Sequence, residues 1–138
     1  MDPRKMFDRM TDAWNAHDVE GVVAPFAEDC EVTAPGFAGK GHQGMREFWA
    51  QNERPFPDNQ VVVHRTIVDG DTLVEESLFR GTNTGPLSNP DGTETPPTQA
   101  RVEVPYAAIY TVRGDLFIRC RMYWDQMEVM GQLGLLSQ

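Results

Sequence analysis

The feature that restricts the fold most strongly is a regular alternation of apolar and polar residues near the C-terminus. Within Leu116–Trp124, Cys120 and Met122 alternate with Arg119 and Arg121. A period of two residues predicts a β-strand whose two faces differ in chemistry. One face must be buried against other elements, whereas the other could face either water or a binding site.

Three other segments have β-type composition, and short turns join the strands in pairs. Gln60–Asp69 and Thr72–Arg80 flank the turn DGD, while Arg101–Arg113 and Leu116–Trp124 flank the turn RGD. Glycine-containing polar turns of this length are typical of antiparallel hairpins. The segment Pro86–Thr98 between the hairpins is rich in proline, glycine and threonine, which predicts a mobile loop that could act as a lid.

The N-terminal half has helical periodicity instead. Asp2 and Pro3 form a typical helix start, and apolar residues then recur at helical spacing as far as Trp14. Asp18 can cap a second short helix, and a third is expected around Phe48. Helices followed by strands predict an α+β domain in which the helices pack on one face of an antiparallel sheet.

Length and charge limit the possible classes of function. The 138 residues suit one globular domain spanning 1–138, and the net charge of −9 disfavours nucleic acid and anionic membranes as partners. We find no apolar run of membrane-spanning length and no signal sequence, so we expect a cytoplasmic protein. Cys30 and Cys120 are expected to be reduced and buried. The scattered histidines and the lack of cofactor motifs predict no metal and no cofactor.

Several motifs resemble known sequences. "AWNAHDVEGVVAPFAEDCEVTAPG" and "GMREFW" resemble the N-terminal half of ketosteroid isomerase-type proteins of the nuclear transport factor 2-like superfamily. "GTNTGPL", "PPT" and the terminal "D…QLGLL" resemble its SnoaL-like polyketide cyclase branch. Together these motifs cover nearly the whole chain. The resemblance implies a cone-shaped, curved antiparallel sheet with three N-terminal helices enclosing a pocket, and a homodimer.

The same resemblance excludes one activity. The positions of the isomerase general base, the oxyanion-hole acid and the oxyanion-hole tyrosine correspond to Ala34, Ala107 and Met10. None of these side chains can exchange a proton, so steroid isomerisation in its known form is not expected. A fold can keep its pocket while the chemistry of the site changes.

Asp125 is the first catalytic candidate that the resemblance implies. It lies seven residues before Gln132, at the position of the acid/base aspartate of SnoaL-like cyclases. We therefore expect Asp125 to point into the pocket together with Arg121 and Tyr123. An apolar pocket would raise the pKa of this carboxyl and suit it to proton transfer. In the alternative, Asp125 forms an ion pair with an arginine, and the apolar residues of the strand contact a partner subunit.

Two other side chains are catalytic candidates. Glu75 shares a strand face with Ser77 and Phe79, and it could divide acid and base roles with a neighbouring carboxylate. His64 lies within a strand and could be a catalytic partner or a structural histidine. Solvent exposure is the alternative for Glu75. Further candidates for substrate contact, or simply for core packing, are Met10, Trp14, Phe26, Tyr106 and Tyr110.

These observations predict a cofactor-independent enzyme that acts on a hydrophobic polyketide-type or polycyclic molecule in secondary metabolism, such as antibiotic biosynthesis. The expected reaction is an aldol-type cyclisation or a proton-transfer isomerisation, since both need only proton movements and positioning. Two alternatives remain open. One is an epoxide-opening or hydroxylation-type tailoring enzyme on the same scaffold, and the other is a non-catalytic, dimeric small-molecule-binding protein.

Overall fold

The computed structural model describes residues 2–136. The helices in this part of the chain are α1 (Pro3–Asn15), α2 (Val19–Val23), α3 (Gly41–Glu53) and α4 (Gln126–Gln132). The strands are β1 (Phe26–Ala34), β2 (Phe37–Lys40), β3 (Gln60–Asp69), β4 (Thr72–Thr82), β5 (Leu87–Ser88), β6 (Glu94–Thr95), β7 (Arg101–Arg113) and β8 (Leu116–Trp124). The predicted α+β class and the predicted order of helices and long strands are confirmed.

Six strands form one curved sheet in the order β2-β1-β8-β7-β4-β3, and β5 and β6 form a separate small hairpin. Both predicted hairpins are present, as antiparallel pairs β3–β4 and β7–β8. The pair β1–β8 is parallel, so the sheet is not antiparallel throughout. The register of the pair β3–β4 shifts between Val63 and Arg65. The register of the pair β7–β8 shifts between Thr111 and Val112. Such irregularities bend and twist strands, which helps the sheet to curve around its contents.

The helix starts follow the capping residues in the sequence. The Asp2 side chain accepts a hydrogen bond from the Arg4 backbone N–H at 3.0 Å, and Pro3 occupies the first turn of α1. Asp18 accepts a hydrogen bond from the Gly21 N–H at 3.1 Å and thereby caps α2. Helix α1 buries Met6, Phe7 and Met10 against the sheet. Its apolar face therefore forms part of the interior.

Aromatic rings fill the closed end of the cone. The Tyr110 ring lies 5.7 Å from Phe7 and 5.1 Å from Phe117, measured between ring centroids. Edge-on and tilted contacts of this kind add to the gain from burial. Cys30 and Cys120 are buried free thiols in the same core, as expected.

Further features differ from the sequence-based expectation. Helix α4 follows β8 directly and was not predicted. The expected loop Pro86–Thr98 contains the hairpin β5–β6, in which Asn89 donates side-chain hydrogen bonds to Thr93 and Thr95. Whether this loop is mobile stays a prediction. Among residues 2–136, no helix has the length and apolar character needed to cross a bilayer.

Candidate active site

A largely apolar cavity of about 190 Å³ lies between the helices and the inner face of the sheet. Aromatic rings and methionine side chains form most of its wall, with a few polar groups among them. The ring and methionine side chains are those of Met10, Trp14, Phe26, Met45, Phe48, Phe56, Phe79, Tyr106, Tyr110, Met122 and Trp124. A concave apolar site with few polar groups is typical of small-molecule binding.

Glu75 is the carboxylate that lines this cavity, and only 2 % of its surface is exposed. Its Oε2 accepts hydrogen bonds from the Ser77 and Tyr106 hydroxyl groups, each at 2.7 Å. Its Oε1 accepts a hydrogen bond from the Tyr110 hydroxyl at 3.0 Å. A carboxylate has about four lone-pair sites, so one acceptor position on Oε1 is left for another partner.

Strand register explains how the sequence builds this cluster. Glu75 on β4 pairs with Ala108 on β7, whose small side chain leaves room for a carboxyl. Ser77 pairs with Tyr106, and Leu73 pairs with Tyr110. The two tyrosines are therefore diagonal neighbours of Glu75 on the inner face, within reach of its two oxygens.

Burial changes the acid strength of the groups in this cluster. Desolvation raises the pKa of Glu75, and the three hydroxyl donors oppose this only in part. Desolvation and the nearby Glu75 carboxylate hold the pKa values of Tyr106 and Tyr110 well above normal. The site therefore contains a carboxyl whose pKa is raised by burial, beside phenols that stay protonated.

Hydrogen bonds also fix the two tryptophans of the wall. The Trp14 indole N–H donates to Asn59 Oδ1 at 2.7 Å, and Asn59 is fully buried. The Trp124 indole N–H donates to Gln126 Oε1 at 2.8 Å. The Phe48 ring neighbours both indoles, with its centroid 6.2 Å from that of Trp14 and 6.5 Å from that of Trp124. These rings form one aromatic wall with a fixed geometry.

The mouth of the cavity lies between α4 and the β5–β6 hairpin, where Leu87 and Val129 line it. The buried Asn83 holds the base of the hairpin segment. Its amide nitrogen donates to the carbonyls of Pro55 and Gly85, and its oxygen accepts from the Thr98 N–H at 2.8 Å. The segment that borders the mouth is therefore tied to the body of the protein at both of its ends.

The expected orientation of Asp125 was wrong. Asp125 is exposed and does not line the cavity, and its carboxylate caps α4 by accepting hydrogen bonds from the backbone N–H groups of Met127 and Glu128. Arg121 and Tyr123 are exposed as well and do not line the cavity. The physical reason is that β8 turns its apolar set inward, where burial is favourable, and leaves its polar set on the outer face.

His64 also lies outside the cavity. It is exposed and occupies the register shift of β3, so its imidazole has no contact with the candidate site. Ala107, which was matched to an isomerase acid, lines a shallow groove on the outer face of the sheet. That match therefore did not identify a cavity position, whereas Met10 does line the cavity.

The other predicted residues lie together. Most of them line the cavity, namely Met10, Trp14, Phe26, Glu75, Phe79, Tyr106 and Tyr110. Ser77 does not line it but donates a hydrogen bond to Glu75. Sequence reasoning missed Met122 and Trp124, which were assigned to the opposite face of β8. Their signal was present in the alternation itself, because the more apolar set of a two-faced strand usually faces the interior. Substrate contact by any of these residues remains untested.

The family model described as "SnoaL-like domain" matches residues 7–120. The chain therefore belongs to the SnoaL-like domain family. No curated protein sequence matches the chain.

Solved structures show the same fold. A proposed SnoaL-like polyketide cyclase from Jannaschia sp. CCS1 is 22 % identical with a TM-score of 0.84, and the match covers 99 % of this chain and 98 % of that one. IdmH from Streptomyces antibioticus, a proposed polyketide cyclase, is 21 % identical with a TM-score of 0.79, covering 97 % and 99 %. AclR from Streptomyces galilaeus, a proposed hydroxylase, is 18 % identical with a TM-score of 0.81, covering 98 % and 86 %. These likenesses show a shared fold, and other matching structures are described by the expected names, ketosteroid isomerase-like and nuclear transport factor 2-like.

Proposed function

We propose that the protein is a cofactor-independent enzyme that moves protons on a hydrophobic polyketide-type or polycyclic small molecule, with Glu75 as the acid/base. The proposed reaction is an aldol-type cyclisation or a proton-transfer isomerisation. The observation that carries the proposal is a carboxyl buried at an apolar cavity, held by two phenols and a serine. Groups with a perturbed pKa in a cavity are frequent in active sites. Membership of the SnoaL-like family supports a small-molecule enzyme.

The arrangement suits removal of a proton from a carbon next to a carbonyl group. The Glu75 carboxylate would accept the proton, and its raised pKa makes it a stronger base than an exposed glutamate. Once Glu75 is protonated, its oxygen needs fewer donors, and the Tyr106 hydroxyl can turn toward the enolate oxygen. Donation to a developing negative charge in a water-poor cavity stabilises it far more than in bulk water.

Exchange of carbon-bound protons tests this proposal without knowledge of the natural substrate. Incubation of the protein with 2-tetralone in deuterated buffer should incorporate deuterium next to the carbonyl, as measured by mass spectrometry. Glu75→Gln should lower this rate by at least about 100-fold, the usual contribution of a general base. Glu76→Gln is the matched control, since Glu76 is the exposed neighbour on the same strand and pairs with Arg65; its rate should equal that of the unaltered protein.

The variant Asp125→Asn distinguishes the two carboxylates. Its exchange rate should stay within about twofold of the unaltered protein, because Asp125 lies outside the cavity and asparagine is also a good N-cap. Loss of exchange in Asp125→Asn combined with full exchange in Glu75→Gln would return the acid/base role to Asp125 and refute the present assignment.

A tailoring reaction such as epoxide opening or hydroxylation is the second candidate, favoured by the structural likeness to AclR. A non-catalytic binder would also use the apolar cavity, but it would show no exchange that depends on Glu75.

A homodimer, a cytoplasmic location and a role in antibiotic biosynthesis belong to the proposal as well. Exposed apolar side chains on the outer face of the sheet, such as Ile67 and Tyr123, support the dimer.

A further inference from the structure

Among residues 2–136, no side chain acts as a counter-ion to Glu75. The groups that act on its carboxyl are the hydroxyls of Ser77, Tyr106 and Tyr110, and no arginine, lysine or histidine of residues 2–136 contacts it. Buried charges are normally paired, because removing an ion from water is costly. A carboxylate that is 98 % buried at a cavity wall is therefore stabilised either by taking up a proton or by pairing with a cationic ligand.

The residues that line the cavity also favour a cationic ligand over an anionic one. Within the described part of the chain, no cationic side chain lines the cavity. Trp14, Phe48 and Trp124 all line the cavity, and aromatic rings attract cations over their faces. An anionic ligand would meet a buried carboxylate and aromatic faces, and both repel negative charge.

The hydrogen-bond groups of the inner wall lead to the same conclusion. Both indole N–H groups are used by Asn59 and Gln126, and both phenols donate to Glu75. These four donors are thus occupied, whereas one acceptor position on Glu75 Oε1 is free. The complementary ligand is one that donates a hydrogen bond and carries positive charge.

We infer that the cavity takes a substrate with a positively charged, protonated nitrogen, for which Glu75 is the counter-ion. This deepens the proposed function, since it names the class of substrate for the same site and rests on the same carboxylate. A bound cation would favour the ionised form of Glu75 and so oppose the rise in its pKa that burial causes. The substrate would be an amine on a hydrophobic ring framework rather than a carboxylic acid.

Three ligands that share one ring but differ in charge test the inference. Benzylammonium, benzyl alcohol and benzoate are similar in size, so differences in their affinity report mainly the charge. We expect benzylammonium to bind at least about 10-fold more tightly than benzyl alcohol, since a charge-assisted hydrogen bond is worth more than the neutral one it replaces. Benzoate should bind most weakly. Titration calorimetry, with quenching of Trp14 and Trp124 fluorescence as a second readout, measures the three constants.

Two variants and a pH series test whether Glu75 causes the preference for benzylammonium over benzyl alcohol. Glu75→Gln should make the affinities for benzylammonium and benzyl alcohol equal within about threefold, whereas Glu76→Gln should leave the preference intact. The affinity for benzylammonium should increase as the pH rises through the pKa of Glu75. The other titratable groups that face Glu75 are Tyr106, Tyr110 and Cys120, and burial raises their pKa values far enough that they stay protonated near neutrality.

Equal affinities for benzylammonium and benzyl alcohol in the unaltered protein would overturn the inference. So would a preference that persists in Glu75→Gln, or a lack of saturable benzylammonium binding at millimolar concentration. These failures differ from failure of the proposed function. If Glu75→Gln abolishes deuterium exchange but charge does not affect binding, the acid/base proposal stands and the cationic substrate is wrong. If charge affects binding but Glu75→Gln retains deuterium exchange, the cationic substrate stands and the acid/base role is wrong.

Discussion

Glu75 titrates in an environment very different from that of the exposed carboxylates, and this links the stability of the protein to pH. Because burial raises the pKa of Glu75 in the folded state, the folded protein holds this proton more tightly than the unfolded chain does. The stability that the protonated carboxyl contributes is complete below the unfolded pKa of about 4.3. It is lost as the pH rises through the folded pKa, where the buried group must ionise.

Glu75→Gln should therefore change stability in a pH-dependent way. Glutamine resembles the protonated carboxyl and never ionises, so the variant should melt at a higher temperature than the unaltered protein at about pH 8, and at a similar temperature at about pH 4. Thermal unfolding followed by circular dichroism measures both. Glu76→Gln should differ from the unaltered protein by no more than about 0.5 kcal/mol at either pH. A variant Glu75→Gln that is less stable at high pH would contradict the account.

The inward or outward orientation of single residues could be predicted only in part from the sequence. The alternation divided β4 into two sets correctly but β8 only from Arg119 onward, because a register shift at Ile118 buries Phe117 and exposes Leu116. In neither strand did it state which set faces inward. For β4 the inward set containing Glu75 was chosen correctly, but for β8 the family resemblance pointed to Asp125 and the polar set. The competing consideration was burial: Met122 and Trp124 gain more by leaving water than the arginines could.

At the scale of elements, Asn83 connects three segments at the cavity mouth. Its side chain pairs with the carbonyls of Pro55 and Gly85 and with the backbone N–H of Thr98. Gly85 packs so closely beneath Arg54 that a Cβ would lie 1.9 Å from the Arg54 carbonyl oxygen. The chain therefore crosses itself tightly at this point, and a polar side chain of the right length is needed to satisfy the buried backbone groups.

Asn83→Ala should loosen this crossing. It removes the side-chain partner of the Gly85 carbonyl and the Thr98 N–H, while the Pro55 carbonyl keeps the hydrogen bond from the Gly85 N–H, and we expect a loss of about 2–3 kcal/mol in the free energy of unfolding. Amide exchange over 86–98 should accelerate at the same time, as measured by hydrogen–deuterium exchange mass spectrometry. Thr84→Ala, an exposed neighbour, is the control and should cost no more than about 0.5 kcal/mol. An unchanged exchange rate over 86–98 in Asn83→Ala would show that Asn83 does not hold the segment.

The elements themselves were largely predictable. The bounds of β3, β7 and β8 agree with the sequence patterns, because period-two alternation and glycine turns are local signals. Helix α4 was missed because its seven residues are too few for a helical period, and tertiary packing of Val129 and Leu133 stabilises it. The parallel pairing of β1 with β8 joins segments far apart in the sequence and leaves no local signal.

For the whole molecule, the outer face of the sheet is the region that the fold leaves open. Ile67 is half exposed and lines a shallow groove with Val74 and Ala107, while Tyr123 is also exposed on this side. The resemblance predicted a homodimer, and the exposed apolar side chains that lie among the charged ones on this face are suited to one. The cavity opens elsewhere, so assembly and catalysis should be separable.

Sedimentation of the unaltered protein should show a dimer, and Ile67→Glu should shift it to the monomer, because a charge would be buried in the interface. Ala50→Glu places the same charge on the exposed side of α3 and should leave the dimer intact. Deuterium exchange by the Ile67→Glu monomer should stay within about threefold of the unaltered protein. A monomer at all concentrations for the unaltered protein would refute the predicted assembly.

The most direct measurement is a crystal structure of the protein with bound 2-naphthol, whose oxygen resembles that of an enolate. We expect the naphthol ring to lie in the cavity beside Trp14 and Trp124. Its oxygen should lie within about 3 Å of Glu75 or Tyr106, the reach of a hydrogen bond that can pass a proton. A naphthol oxygen bound instead to Asp125, with Glu75 still enclosed by its three hydroxyl donors, would contradict the account.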